Sequence, residues 1–224
     1  MTTETRLAIA LAAARPYESR WDHDAACKGA GGDRFFEASG KAQEESRGHC
    51  RECPVLDNCL TAVVKRESFS RDRWGVVGGL TPAQRIALAW EQRLRGHGPD
   101  LDVARMLMKP AWQYRLHPLR CSGLTPDEMA ESLRIDGLVT DGMTVRLAVW
   151  WLGGKGAWVT WRTQDRRVER LVAEHADVMT RLRELGAIHA EVAAYLGVEF
   201  KYVTRAVTLM EQSRVAAEDL EVAA

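Results

Sequence analysis

Three cysteines, Cys50, Cys53 and Cys59, crowd into the segment GHCRECPVLDNCLTA (residues 48–62), and Cys27 precedes them in the spacing C-x22-C-x2-C-x5-C. Two thiolates three residues apart can bind one metal centre from a single turn, and a third six residues later can join them after a helical turn. Pro54, directly after Cys53, removes a backbone donor and fixes the local turn where a helix begins. The fourth ligand would be Cys27, brought in by the fold. A four-cysteine zinc site usually shows two CxxC-like pairs, and only one is present here. Spacing alone therefore leaves zinc and iron–sulfur chemistry nearly level. His23 and His49 each lie beside a better ligand and read as ordinary polar histidines.

The composition limits what surrounds these thiols. At 224 residues the chain can form one large domain or two to three small ones. Its 46% hydrophobic and 28% charged residues are those of a globular protein in water. Thirty-one basic residues balance thirty-one acidic ones, so a DNA-binding role has to come from a local surface. The apolar stretch Leu7 to Ala14 is short, Glu4 spoils a basic flank and Arg15-Pro16 follows at once; it reads as a short amphipathic helix rather than a signal peptide. No run approaches membrane-spanning length. The expected location is the cytoplasm, which disfavours structural disulfides.

The pattern separates three parts and a tail. Residues 1–95 carry four cysteines and end in GLTPAQRIALAWEQRLR, where Thr81 can cap a helix with Pro82 at its first position. GHGPD, residues 96–100, is a break. In residues 101–163, Thr125-Pro126 opens a helix with Met129, Ala130 and Leu133 on one face and Gly137 at its end. TDGMTVRLAVWWLGG supplies another apolar helix, and GGKGAWVTW a glycine turn into a strand. That order suggests a winged helix-turn-helix, with a small helical domain bearing one hairpin as the competing reading. Residues 165–212 are helical by period, and 213–224 form an acidic tail expected to fray. Cys121, before the Thr125 helix, is expected to be a small buried residue.

The flanks of the cysteines carry further information. Upstream stands WDHDAACKGAGGDRFFE, with Trp21 six residues before Cys27, then Asp33, Phe35-Phe36 and Glu37; downstream stands RWGVVGGLTPAQR. Over about residues 20–95 this order resembles the WhiB-like family of actinobacterial and actinobacteriophage transcription factors. The resemblance implies a four-iron, four-sulfur cluster bound by Cys27, Cys50, Cys53 and Cys59. It implies a helical domain wrapped round that cluster and docked on the principal sigma factor of RNA polymerase. The cluster in such proteins reacts with nitric oxide or oxygen. One position departs: the family's turn tryptophan falls on Val77, with Trp74 three residues earlier. The sigma-facing aromatics carried over are Trp21, Phe35 and Phe36. Either Trp74 compensates by moving inward, or sigma binding is weaker.

A second motif lies between Val178 and Met210. Leu182 and Leu185 form the face of a helix that Gly186 ends; His189 to Leu196 form a short helix, and Phe200 to Met210 the next. The spacing of Ala193, Gly197 and Val203 is that of a helix-turn-helix: alanine permits a close crossing, glycine the left-handed turn, and valine anchors the second helix. Val192, Leu196, Val198, Ala206 and Val207 fill the other inward positions. Lys201, Tyr202, Thr204, Arg205 and Thr208 are left outward as candidate DNA contacts. Residues 161–224 carry nine basic and eleven acidic side chains, so a trihelical protein-interaction domain competes with DNA contact.

The expected fold is therefore mainly α: a small helical cluster domain, a winged helix-turn-helix and a C-terminal trihelical helix-turn-helix. The expected function is a transcriptional regulator, cluster-bearing and responsive to redox state or nitric oxide, that docks on sigma factor and touches promoter DNA. The alternative is a sigma-factor antagonist that never touches DNA. No nucleophile–base pair, glycine-rich phosphate loop or supported acidic dyad points to an enzyme or to a small-molecule substrate.

Overall fold

Thr81 and Thr125 do what their sequence context asks. Each hydroxyl accepts the backbone N–H three residues on, while the side chain of Gln84 or Glu128 reaches back to the capping residue's own N–H. Such capping boxes satisfy two otherwise orphaned donors and contribute about 1 kcal/mol each. The computed structural model describes residues 21–37, 39–67, 73–154 and 167–222. Among them the fold is mainly helical, with ten α-helices and no strand. The expected helix at Leu7–Ala14 and most of the expected wing strand lie outside the described residues.

The chain divides into two compact units, Met1–Gly79 and Leu80–Ala224. In the first, short 3-10 turns at Trp21–Asp24 and Gly32–Phe36 precede α1 (Gly40–Arg51) and α2 (Leu56–Arg66). Helix α1 packs on the second 3-10 turn, where the Ser46 hydroxyl donates to the Arg34 carbonyl at 3.1 Å. The buried apolar residues are few: Phe35, Val55, Leu56, Leu60, Val63 and Val76 are the largest.

The second unit holds α3 (Pro82–Arg95), α4 (Leu101–Leu107), α5 (Pro110–Cys121), α6 (Pro126–Ile135), α7 (Gly142–Trp151), α8 (Arg167–Glu184), α9 (His189–Leu196) and α10 (Phe200–Val222). Helix α7 packs on α4 and α6, and α3 packs on α9. Trp90 of α3 enters the same core as Leu171, Met179, Val192, Leu196, Val203 and Val207. The C-terminal three helices are thus completed by a fourth, drawn from the segment next to the cysteines in sequence.

A buried polar network joins these helices. Arg146 of α7 donates to the Glu91 carboxylate of α3 at 2.9 Å and to the Tyr195 carbonyl of α9. Its guanidinium also lies 4.5 Å from the Trp150 ring centre. Arg95 bridges Glu91 and Asp127. Burial raises the pKa of Glu91 and lowers that of Arg146, with the mutual attraction opposing both shifts.

Four expectations change. Helix α7 is buried at every residue, so the helix that the winged reading would send into a DNA groove has no open face. Cys121 is exposed rather than buried. Leu185 lies past the end of α8 and is 39% exposed, while Leu182 alone takes the inward position. The backbone of α10 stays helical to Val222, through most of the expected frayed tail.

Candidate functional site

The four cysteines of the first unit stand on three different pieces of chain. Cys27 lies in the exposed loop after the first 3-10 turn, Cys50 near the end of α1, Cys53 in the link after it, and Cys59 in the first turn and a half of α2. The fold brings the four together. The Ala26 N–H, next to Cys27, points at the Cys53 sulfur at 3.5 Å. Cys50 feels the charges of the other three, and Cys59 those of Cys27 and Cys53. Among the described residues, no three His, Cys, Asp or Glu side chains converge closely enough to grip a single metal ion.

A diglycine turn closes over the thiols. Gly79 donates its backbone N–H to the Cys50 sulfur and Gly78 to that of Cys59. Both glycines have positive φ, 60° and 72° for Gly78 and Gly79, a backbone region that side-chain-bearing residues enter at a cost. At Gly78 a Cβ would also sit 2.8 Å from the Leu60 Cα. The turn can therefore press its N–H groups onto the sulfurs only because no side chain intervenes. Burial pushes the Cys50 thiol up to about 12, outweighing the Gly79 N–H that favours thiolate, and raises Cys59 for the same reason. Buried thiols that repel one another's charge are stable as thiolates only against a compensating cationic centre. The donor set of four sulfurs with two aimed N–H groups fits a thiolate-bound cluster, in which hydrogen bonds to sulfur tune the electronics.

The carried-over aromatics part company. Phe35 is buried against the His49 ring, with centroids 5.9 Å apart. Phe36 is 63% exposed and Trp74 is 74% exposed. Trp21 is half-buried. Trp74 has not moved inward to replace the residue at Val77. Phe36 instead lies against Gly75, where a Cβ would meet its ring at 2.8 Å, and the Val76 N–H donates to the Phe35 carbonyl at 2.7 Å.

At the C-terminal motif, Ala193 and Val203 are buried between α9 and α10, and Gly197 takes the left-handed turn at φ 74°. Val192, Leu196, Ala206 and Val207 are buried beside them, and Val198 is partly so. The outward residues are less uniform than their spacing implies. Lys201 is exposed but paired with Glu199 at 2.7 Å. Tyr202 is half-buried, and its hydroxyl accepts from Arg167 at 2.8 Å. The Thr204 and Thr208 hydroxyls donate back to the Phe200 and Thr204 carbonyls of their own helix. Arg205 is exposed. Phe200, not among the predicted contacts, is 55% exposed at the head of α10 and meets His189 with ring centroids 6.5 Å apart. Its position just after the turn residue Glu199 was the available signal.

Together these features define an α-helical protein with four cysteines gathered under a glycine turn in one unit and C-terminal helices packed about Ala193 and Val203 in the other. Residues 21–88 match the family model described as Transcription factor WhiB. That segment carries all four cysteines and the diglycine turn, and α4 to α10 lie beyond it. No curated protein and no solved structure matches the chain. None of the described helices is long and apolar enough to cross a membrane.

Proposed function

We propose that this chain is a transcriptional regulator holding a four-iron, four-sulfur cluster on Cys27, Cys50, Cys53 and Cys59. The observation that carries the proposal is the gathering of four thiols beneath the Gly78–Gly79 turn, inside the segment that matches the transcription factor family. When bound, the cluster supplies a redox- and nitric-oxide-sensitive centre and the binding energy that keeps a small domain folded. The chain's own part is to exclude water around Cys53, to aim Gly78 and Gly79 N–H groups at two sulfurs, and to hold Phe36 and Trp74 outward. These two rings, with half-buried Trp21, form the docking surface for the principal sigma factor; Phe35 supports it from below.

Promoter contact falls to α9 and α10. With Lys201 already neutralised by Glu199, Arg205 is the main cation of the recognition helix, and Thr204 and Thr208 line the same face. Weak intrinsic affinity suffices when sigma factor holds the protein beside its promoter, because tethering raises the effective concentration. The same neutralisation, with the exposed apolar side chains of Leu185, Ile188 and Phe200 nearby in sequence, favours the second reading, a sigma antagonist that binds protein only.

Anaerobic purification tests the cluster. A brown protein with iron and acid-labile sulfide in equal amounts is expected, and a colourless one holding a single zinc ion overturns the assignment. Gel shifts with promoter DNA, with and without sigma factor, separate the two readings. Arg205→Ala is expected to abolish the shift and Lys201→Ala to weaken it less; a shift insensitive to both removes α10 from the DNA interface.

A further inference from the structure

Helix α5 is unlike its neighbours. Of its twelve residues only Leu116 is buried, so most of its circumference is open. Between Asp102 and Asp127 the chain has no acidic residue but carries Arg105, Lys109, Arg115, Arg120 and His117, together with Trp112 and Tyr114. A neutral chain therefore places Lys109, Arg115 and Arg120 on and at the start of one open helix, α5, with Arg105 on the helix before it. Arg115 spends its charge on Asp136 at 3.0 Å. Lys109 and Arg120, at opposite ends of α5, have no acidic partner among the described residues.

Gln113, Tyr114, His117 and Arg120 recur at the three- and four-residue spacing that places side chains on one helix face. They line a common groove with Leu152. Tyr114 is 84% exposed. Lys109 and Arg120 are separated by ~16 Å along the helix axis. The DNA major groove is ~12 Å wide, admits one helix, and is flanked by phosphates on both sides.

We infer that α5 is a nucleic-acid contact surface that lies against duplex DNA, with Lys109 and Arg120 on phosphates and Gln113, Tyr114 and His117 towards the base edges. The inference rests on the reading that this chain acts at promoters, but it uses a helix separate from α10. It also gives the middle segment a DNA-facing helix in place of buried α7. Phosphate contacts of this kind release counterions, so they announce themselves in the salt dependence of binding, by about one unit of slope per contact.

The test uses the full-length, cluster-loaded protein and a fluorescein-labelled duplex of mixed sequence, titrated by anisotropy at several salt concentrations. The K109A/R120A double variant is expected to bind more than tenfold more weakly at low salt. Its slope of log K against log salt should be shallower by about 2, with a thermal melt close to the parent's because Lys109 is exposed and Arg120 is half-buried at the groove rather than in the core. Tyr114→Ala should weaken binding without altering the slope. If Arg205→Ala weakens binding while the double variant matches the parent in affinity and slope, the α5 assignment falls and the promoter reading stands. If the parent binds no duplex even beside sigma factor, both fall.

Discussion

The two units of this chain are held together in opposite ways. Among its described residues the first has few large buried apolar side chains, Phe35, Val55, Leu56, Leu60, Val63 and Val76, set beside four cysteine sulfurs. The second has two large tryptophans, Trp150 and Trp151, many fully buried leucines, and a buried Glu91–Arg146 pair tying α3 to α7. A segment as small as the first buries too little apolar surface to offset its chain entropy, and metal binding is the usual supplement. The second can fold on packing alone. The contrast teaches where each unit is vulnerable: one to its ligand chemistry, the other to any uncompensated charge in its core.

The largest effect should come from stripping the first unit of the proposed cluster. Chelation under air, or Cys53→Ser, is expected to unfold residues 21–79 while α3 to α10 stay intact. Amide exchange read separately for the two units checks this, and simultaneous loss of protection in both would break the comparison. Next comes Arg146→Met, which leaves buried Glu91 with Arg95 as its remaining ion-pair partner and should cost up to about 3–5 kcal/mol. Burial already raises the Glu91 pKa, so the folded state holds that proton more tightly than the unfolded chain. Stability from this group is then greatest below the unfolded value and declines as pH rises through the folded one. Removing Arg146 raises the folded value further. The variant's deficit should accordingly be largest at neutral pH and shrink as pH falls towards ~4.3. Denaturant melts of both proteins across that range measure it.

Gly78→Ala sharpens the same contrast from the other side. The left-handed backbone alone costs roughly 1–3 kcal/mol for a residue with a Cβ, and the approach to the Leu60 Cα adds to it. The melt of the first unit should drop while that of the second holds. The smallest effect is expected at Thr125→Ala, where losing the capping box of α6 should cost about 1 kcal/mol in the second unit only. A thermal melt of the loaded protein resolves it.

Local chemistry was legible along the chain. The Thr-Pro starts of α3 and α6, the glycine ends, the CxxCP turn and the Ala193–Gly197–Val203 spacing all act within a few residues. Their outcomes depend on backbone geometry that neighbours dictate. The burial of Val192, Leu196, Ala206 and Val207 followed from helical period for the same reason. Charge balance over residues 161–224 also indicated that the recognition helix would be weakly basic, although not that Glu199 itself pairs with Lys201.

What the sequence determined by itself was therefore the set of cysteines that the fold gathers, the helix boundaries near strong caps, and the apolar core between α9 and α10. Only tertiary structure decided which surfaces stay open. Phe35 and Phe36 are adjacent and alike, yet one is buried on His49 while the other stays largely exposed although the Gly75 turn lies against its ring. Helix α7 reads as an apolar helix of a winged helix-turn-helix, and it is enclosed by α3, α4 and α6 with no open face. Arg146 looks like a surface cation and is buried, since Glu91 meets it from 55 residues away. Burial and pairing are long-range properties, set by which helices come to lie together, and no local pattern encodes them.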